Sequence, residues 1–197
     1  MSAAVNPSTT AGIIIGSGVG AVAEWLRQIT VRVNGSHGAQ GSGVIWRSEG
    51  LVMTNAHVAD SQTHEIELID GRRLQGWLVA RDRKRDIAAL AVSSTRLSAA
   101  SLRSARTLRA GEMVIAIGNP WDGVSAVSTG IVHHAVGNAP LLVADIRLAP
   151  GNSGGPLADA QGNVIGINSM VVGGFGCAIT SDTVESFLAR VHLAEAV

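Results

Sequence analysis

Leu141-Leu142-Val143-Ala144, then Pro150-Gly151-Asn152-Ser153-Gly154-Gly155-Pro156-Leu157, then Val164-Ile165-Gly166-Ile167: two short apolar runs enclose a turn rich in Gly, Pro and Asn. Runs of that length bounded by turn residues read as buried strands rather than helices. A serine between glycines on such a loop sits where backbone amides can converge on a developing negative charge. That is the setting an acyl-transfer nucleophile requires.

The same alternation of short strands and turns extends outward in both directions. Before the serine loop, strands are predicted over 29–33, 43–46, 51–54 and 66–69, and Asp70-Gly71 reverses the chain into 74–79 as a hairpin turn. A strand over 87–92 closes this half. After Arg109-Ala110-Gly111-Glu112, further strands are predicted over 113–117, 124–132, 141–146, 164–168 and 176–179. Such spacing predicts an all-β fold, a sandwich or a pair of barrels. A helix is predicted over 181–190, where Val184, Phe187, Leu188 and Val191 share one face behind an N-terminal cap. A short helix over 22–27 precedes the first strand, and residues 1–10 read as a mobile leader.

Composition narrows the function classes. The chain has 197 residues, 46% hydrophobic and 15% charged, which suits one compact unit. Lys+Arg and Asp+Glu are both 15, so no net field favours nucleic acid or an anionic membrane. One cysteine, Cys177, leaves no internal disulfide framework. No apolar run reaches the roughly 18 residues that span a bilayer. The stretch 11–23 is interrupted by glycines and Ser17 and has no basic segment before it, so no secretory signal is read and the cytoplasm is favoured.

A serine hydroxyl is a poor nucleophile at neutral pH and needs a base and an orienting carboxylate. His57, in Thr54-Asn55-Ala56-His57-Val58-Ala59, ends an apolar strand among small neighbours that leave an imidazole room to face a cleft. Asp86 opens Asp86-Ile87-Ala88-Ala89-Leu90-Ala91-Val92, where a carboxylate entering a buried strand is partly desolvated. Its rival role is a surface ion pair with Arg83, Lys84 or Arg85. The order His, Asp, Ser separates this set from the subtilisin and α/β-hydrolase orders. His37, His64, His133, His134 and His192 share no ligand spacing with an acid or cysteine and read as surface or structural. Ile13-Ile14-Ile15-Gly16-Ser17-Gly18-Val19-Gly20-Ala21 looks like a strand entering a dinucleotide-binding turn. The next strand ends at Asn34 rather than an acid, and no alternation of helices and strands follows, so a nucleotide role is set aside.

With these residues in place, the chain resembles the HtrA/Deg family of trypsin-fold serine proteases. The resemblance is carried, in family order, by Gly41-Ser42-Gly43-Val44-Ile45, Thr54-Asn55-Ala56-His57-Val58, Asp70-Gly71-Arg72, Asp86-Ile87-Ala88, Gly118-Asn119-Pro120, Thr129-Gly130-Ile131-Val132 and the run from Asp145 to Leu157. It implies two perpendicular β-barrels, about 29–103 and 104–180, and a short C-terminal helix over about 182–193. Residues 1–21 then form a leader or assembly segment ahead of a protease domain over 22–197. Ser153 would attack the scissile carbonyl, His57 would shuttle the proton and Asp86 would hold the imidazole tautomer. The amides of Gly151 and Ser153, with Asn152 between them, would form the oxyanion hole, and water would hydrolyse the acyl-enzyme. No metal or organic cofactor is implied. Polypeptide substrates are, in unfolded or exposed segments, with a role in protein quality control; homotrimers through the N-terminal segment and an extracytoplasmic location are also implied.

The chain departs from the family in three places. It ends at Val197, leaving no room for the C-terminal PDZ domain many members carry. The loops after His37 and over 137–140 are short. Arg147 stands six residues before Ser153, where the resemblance implies a small apolar residue near the base of the specificity pocket. If Arg147 points inward, an acidic substrate side chain is favoured; if it points away, Met170 and the segment Val172, Gly174 and Cys177 set an apolar pocket. The cost of burying an unpaired guanidinium favours the second arrangement. Glycines 173, 174 and 176 suit a backbone edge that accepts an extended substrate. Two other functions stand beside the general endopeptidase: a chaperone-like binding module with weak turnover, and a maturation protease with one substrate.

Overall fold

The chain in this computed structural model is described over residues 7–35, 40–121, 124–134 and 136–192, with side chains from residue 18 onward except at 120, 121 and 124. Two six-stranded antiparallel sheets follow one another in sequence. The first comprises β1 (Thr30–Asn34), β2 (Gln40–Arg47), β3 (Leu51–Thr54), β4 (Thr63–Glu67), β5 (Arg73–Asp82) and β6 (Ile87–Val92), and it closes in the order β1-β2-β3-β6-β5-β4. The second comprises β7 (Met113–Trp121), β8 (Val124–Val132), β9 (Leu141–Asp145), β10 (Pro156–Asp159), β11 (Val164–Val172) and β12 (Phe175–Thr180), and it closes as β10-β11-β12-β9-β8-β7. The expected all-β pair of barrels is therefore the observed fold.

Each barrel fills its interior with branched aliphatics. Val31, Val33, Val52, Ile66 and Leu90 occupy the first, and Val114, Leu142, Leu157 and Ile165 the second. A third cluster lies between them. There Val44, Trp46, Met53 and Ile87 from the first barrel meet Ile115, Ile117, Ile167 and Ile179 from the second. Both helices contribute to this shared core: Leu26 from α1 (Pro7–Gln28), and Val184, Phe187 and Leu188 from α2 (Ser181–Arg190). The Thr180 hydroxyl caps α2 by accepting from Thr183 N–H at 3.3 Å.

Several expectations are corrected. The short helix over 22–27 is the end of the 22-residue helix α1, so the boundary between 21 and 22 falls inside a helix. Val19, Val22, Ala23 and Leu26 recur at helical spacing and pack on the shared core, which holds this half of α1 against its own domain. Ile13 to Ile15 belong to α1 and not to a strand; short β-branched runs read alike in either state, and the stripe that follows them has the helical period. Of the expected leader, residues 7–10 lie in α1 and residues 1–6 lie outside the described residues, as does His37. Finally, β10 was absent from the predicted strands, and β4 lies three residues ahead of its predicted start.

The shared core yields a stability prediction. Phe187 is 2% exposed and belongs to the cluster that the two barrels share. Phe187→Ala is expected to cost about 3–5 kcal/mol in urea unfolding, and a loss below about 1 kcal/mol would contradict this packing.

Candidate active site

His57 and Asp86 meet at one end of the first barrel. β3 delivers Thr54 to a turn in which Ala56 N–H and Asn55 Nδ2 both donate to Asp86 O, each at 3.1 Å. Asp86 itself has φ 59°, a left-handed conformation uncommon outside glycine and one that Asp tolerates better than most residues. This corner aims the carboxylate back at the His57 turn. His57 N–H donates to Oδ1 at 3.0 Å, and Nδ1 lies 2.9 Å from both oxygens. Arg85 Nη1 instead pairs with Asp82 Oδ2 at 2.8 Å, and among the described residues Asp86 makes no salt bridge with Arg83, Lys84 or Arg85.

The second barrel adds a residue that sequence reading did not find. Ser169 Oγ donates to Asp86 Oδ2 at 2.8 Å, and Ser169 O accepts from Ser153 Oγ at 3.1 Å. Ser169 thereby links the carboxylate to the serine loop, while Ser153 rests on a carbonyl rather than on the imidazole. A lone serine inside a strand carries no sequence signal for such a role.

The Ser153 loop is held by a second unpredicted serine. Ser42 on β2 is fully buried. Its N–H donates to Ser153 O at 2.8 Å, and its Oγ donates to Gly151 O at 2.7 Å while accepting from Asn119 N–H at 2.9 Å. Asn152 N–H donates to Ala149 O at 3.0 Å. The peptide joining Gly151 to Asn152 is thus tied at both its carbonyl and its amide. Gly151 has φ 94° and Gly154 φ 85°. A Cβ on Gly154 would fall 2.0 Å from Ser42 O, so both conformation and space exclude other residues there. Among the described residues, no partner takes the N–H of Gly151 or Ser153. Asn152, between them, differs: its N–H is already spent on Ala149 O.

Beside Ser153 lies a pocket of about 210 Å³, lined by Leu148, Pro150, Asn152, Asn168, Ser169, Met170 and Val171 among others. Met170 is the one expected pocket residue found there. Arg147 is solvent-exposed and outside the lining. Cys177 is buried at 4% exposure beneath the β11–β12 ladder, where burial pushes its thiol pKa up. Val172 projects into solvent and Gly174 lies in the turn beyond it. The amide oxygens of Asn152 and Asn168 have no hydrogen-bond partner. No cluster of three or more His, Cys, Asp or Glu suited to a metal occurs among the described residues. Nor is any described helix long and apolar enough to cross a membrane.

The family description "Trypsin-like peptidase domain" matches residues 41–167. Similar proteins include serine protease HTRA1 of Xenopus tropicalis, 37% identical over 167 residues covering 78% of this chain and 36% of that protein. A probable periplasmic serine endoprotease, DegP-like, of Halomonas elongata is 39% identical over 139 residues, 66% of this chain and 29% of its own. Mitochondrial serine protease HTRA2 of Drosophila ananassae is 36% identical over 166 residues, covering 77% and 39% respectively. The chain thus spans well under half the length of these relatives.

The electrostatics of the pair are testable. The hydrogen bond to Asp86 raises the His57 pKa above its ordinary 6.5, with burial opposing and the carboxylate charge assisting. Burial pushes Asp86 up, but hydrogen bonds from His57 and Ser169 outweigh it and hold the carboxyl below its ordinary range. The His57 contribution to stability is full below about pH 6.5 and is lost as pH rises through its folded pKa; that of Asp86 is lost as pH falls through its own. In NMR titration the His57 imidazole is expected to titrate above 6.5, and Asp86→Asn is expected to lower that midpoint. An unchanged midpoint would sink the coupling.

Proposed function

The chain belongs to the trypsin-like peptidase family, and on that premise we propose that it is a serine endopeptidase in which Ser153, His57 and Asp86 form the catalytic triad. The observation that carries the reading is the docking of Ser153 beside the His57–Asp86 pair through Ser169. Ser153 Oγ leaves Ser169 O, loses its proton to His57 Nε2 and attacks the substrate carbonyl carbon. Asp86 accepts from Nδ1 and stabilises the imidazolium that forms. The free N–H groups of Gly151 and Ser153 receive the oxyanion. His57 then returns the proton to the leaving amine, and water attacks the acyl-enzyme by the same route.

The pocket supports cleavage after a short uncharged side chain. Leu148, Pro150, Met170 and Val171 supply apolar surface, and a volume near 210 Å³ suits a branched aliphatic group. Residues 169–172 extend β11 beyond its pairing with β10, which leaves a backbone edge for an extended substrate. Substrates in unfolded or exposed segments fit that demand, because only an extended chain can pair with the edge. A quality-control role belongs to this reading: casein would be degraded while a native folded protein would be spared.

Two experiments test the proposal. A fluorophosphonate is expected to label the wild type and leave Ser153→Ala unlabelled, with peptidase kcat falling by on the order of 10³-fold or more in the variant. Labelling independent of Ser153 would refute the triad. Ser42→Ala frees the Gly151 carbonyl and is expected to lower kcat on the order of tenfold with KM little changed. The opposite split, a raised KM with kcat intact, would remove Ser42 from oxyanion-loop positioning.

A further inference from the structure

A cavity of about 310 Å³ lies where four elements meet: the turn between β5 and β6, the single helical turn Ala105–Thr107, the loop over 137–140 and helix α2. Arg85, Arg106 and Arg190 stand on its wall, and Asp182 is the one carboxylate beside them there. All three arginines are exposed, so their charged ends are open to a ligand.

The carboxylates near these cations are already committed. Asp182 accepts from Ser104 Oγ and from Ala105 N–H, each at 2.8 Å, and its Oδ1 lies 3.5 Å from Arg106 Nε. Asp82, outside the wall, places Oδ2 2.8 Å from Arg85 Nη1 and 3.6 Å from Arg190 Nη2. Two guanidinium groups thus crowd one carboxylate oxygen, and a single negative charge offsets only one of them. A guanidinium carries five N–H donors. Among the described residues the Arg85 side chain hydrogen-bonds only through Nη1, that of Arg190 only through Nε to Ser186 O at 3.3 Å, and Arg106 has only its ion pair. Most of the donors around the cavity are left for a ligand, and that ligand must be an anion.

The arrangement of the cations sets its shape. Asp182 and Arg190 are eight residues apart on α2, about 12 Å along the helix axis. Arg106 therefore stands at one end of the cavity and the Arg85–Arg190 pair at the other. Between them Pro140 O accepts from Thr180 N–H at 3.0 Å and from Thr183 Oγ1 at 3.3 Å, which fixes the 137–140 loop against α2. The cavity is preformed, elongated and positive at both ends.

We propose that it is a binding site for a linear triphosphate group, with one terminal phosphate on Arg106 and the other on Arg85 and Arg190. Guanidinium groups match phosphate oxygens in paired, charge-assisted hydrogen bonds. A chain of three phosphates reaches both ends, whereas a single phosphate occupies only one. The site stands independently of the endopeptidase reading. Arg85 belongs to the first barrel and α2 follows directly from β12 of the second, so the bound anion ties the two halves together.

The test is calorimetric titration of the full chain with inorganic triphosphate in metal-free buffer near 0.1 M salt. Saturable binding with Kd below about 1 mM is expected, at least tenfold tighter than orthophosphate and accompanied by a raised Tm. Arg106→Gln and Arg190→Gln are each expected to weaken it at least fivefold. Asn138→Trp, at an exposed loop position, fills the cavity without altering charge and is expected to abolish binding. Arg72→Gln removes an exposed arginine at the opposite end of β5 and is expected to leave the affinity unchanged. No saturation up to about 5 mM, orthophosphate as tight as triphosphate, full binding in Asn138→Trp, or an equal loss in Arg72→Gln each overturns the site. ATP separates the two sources of the group: affinity equal to that of inorganic triphosphate supports the site with a nucleotide as its carrier, and weaker binding supports it for the free anion. An Asp- and Glu-rich octapeptide that binds where triphosphate does not would overturn the phosphate assignment.

Discussion

Two hydrogen bonds from one buried serine join the halves of this protein at the place where chemistry is proposed. Ser42 belongs to the first barrel, yet its amide holds Ser153 O and its hydroxyl holds Gly151 O in the second. Remove the docking of the barrels and neither bond can exist. The same dependence runs the other way through Ser169, a second-barrel residue whose hydroxyl reaches Asp86 beside the first barrel. Each half thus holds a proposed reactive group of the other. The apolar cluster between them makes that reciprocity affordable, because Met53, Ile87, Ile115 and Ile167 leave no room for the barrels to slide.

Positioning matters more here than side-chain reactivity alone. Asp86 is held low by donors from His57 and Ser169 despite partial burial, and His57 is held high by Asp86. The aspartate that makes these contacts has left-handed backbone geometry, and Asn55 and Ala56 both donate to its carbonyl. In the serine loop, glycines with positive φ turn the chain, and hydrogen bonds hold Gly151 O and Asn152 N–H while the Gly151 and Ser153 amides have no partner among the described residues.

The sequence made the barrel strands legible wherever short apolar runs met Gly, Asn or Asp turns, as at Asp70-Gly71, where Gly71 has φ 82°. His57, Asp86 and Ser153 were legible as candidates because they stand beside such runs in a telling order. Strand β10 escaped notice because four residues beginning with proline and buried on both sides show no alternation. Helix α1 was read too short because Ile13 to Ile15 and the glycines around them have weak helical preference, and only packing by Val19, Val22 and Leu26 extends the helical frame. Ser42 and Ser169 act on groups 109 and 83 residues away, a relation that no local pattern encodes. The exposure of Arg147 was by contrast readable from a general cost, since solvation of a guanidinium outcompetes any pocket that offers it no partner.

Those long separations bear on when the chain becomes reactive. Hairpins such as β4–β5 and β11–β12 close within a few residues and assemble early, whereas the contacts from Ser42 to Gly151 and from Ser169 to Asp86 must wait for both barrels to meet. On the proposed reading, a chain emerging from synthesis carries its base and its nucleophile on separate, undocked pieces. It therefore passes through its most cleavable states before it is able to cleave, and the fold acts as its own timer against self-digestion.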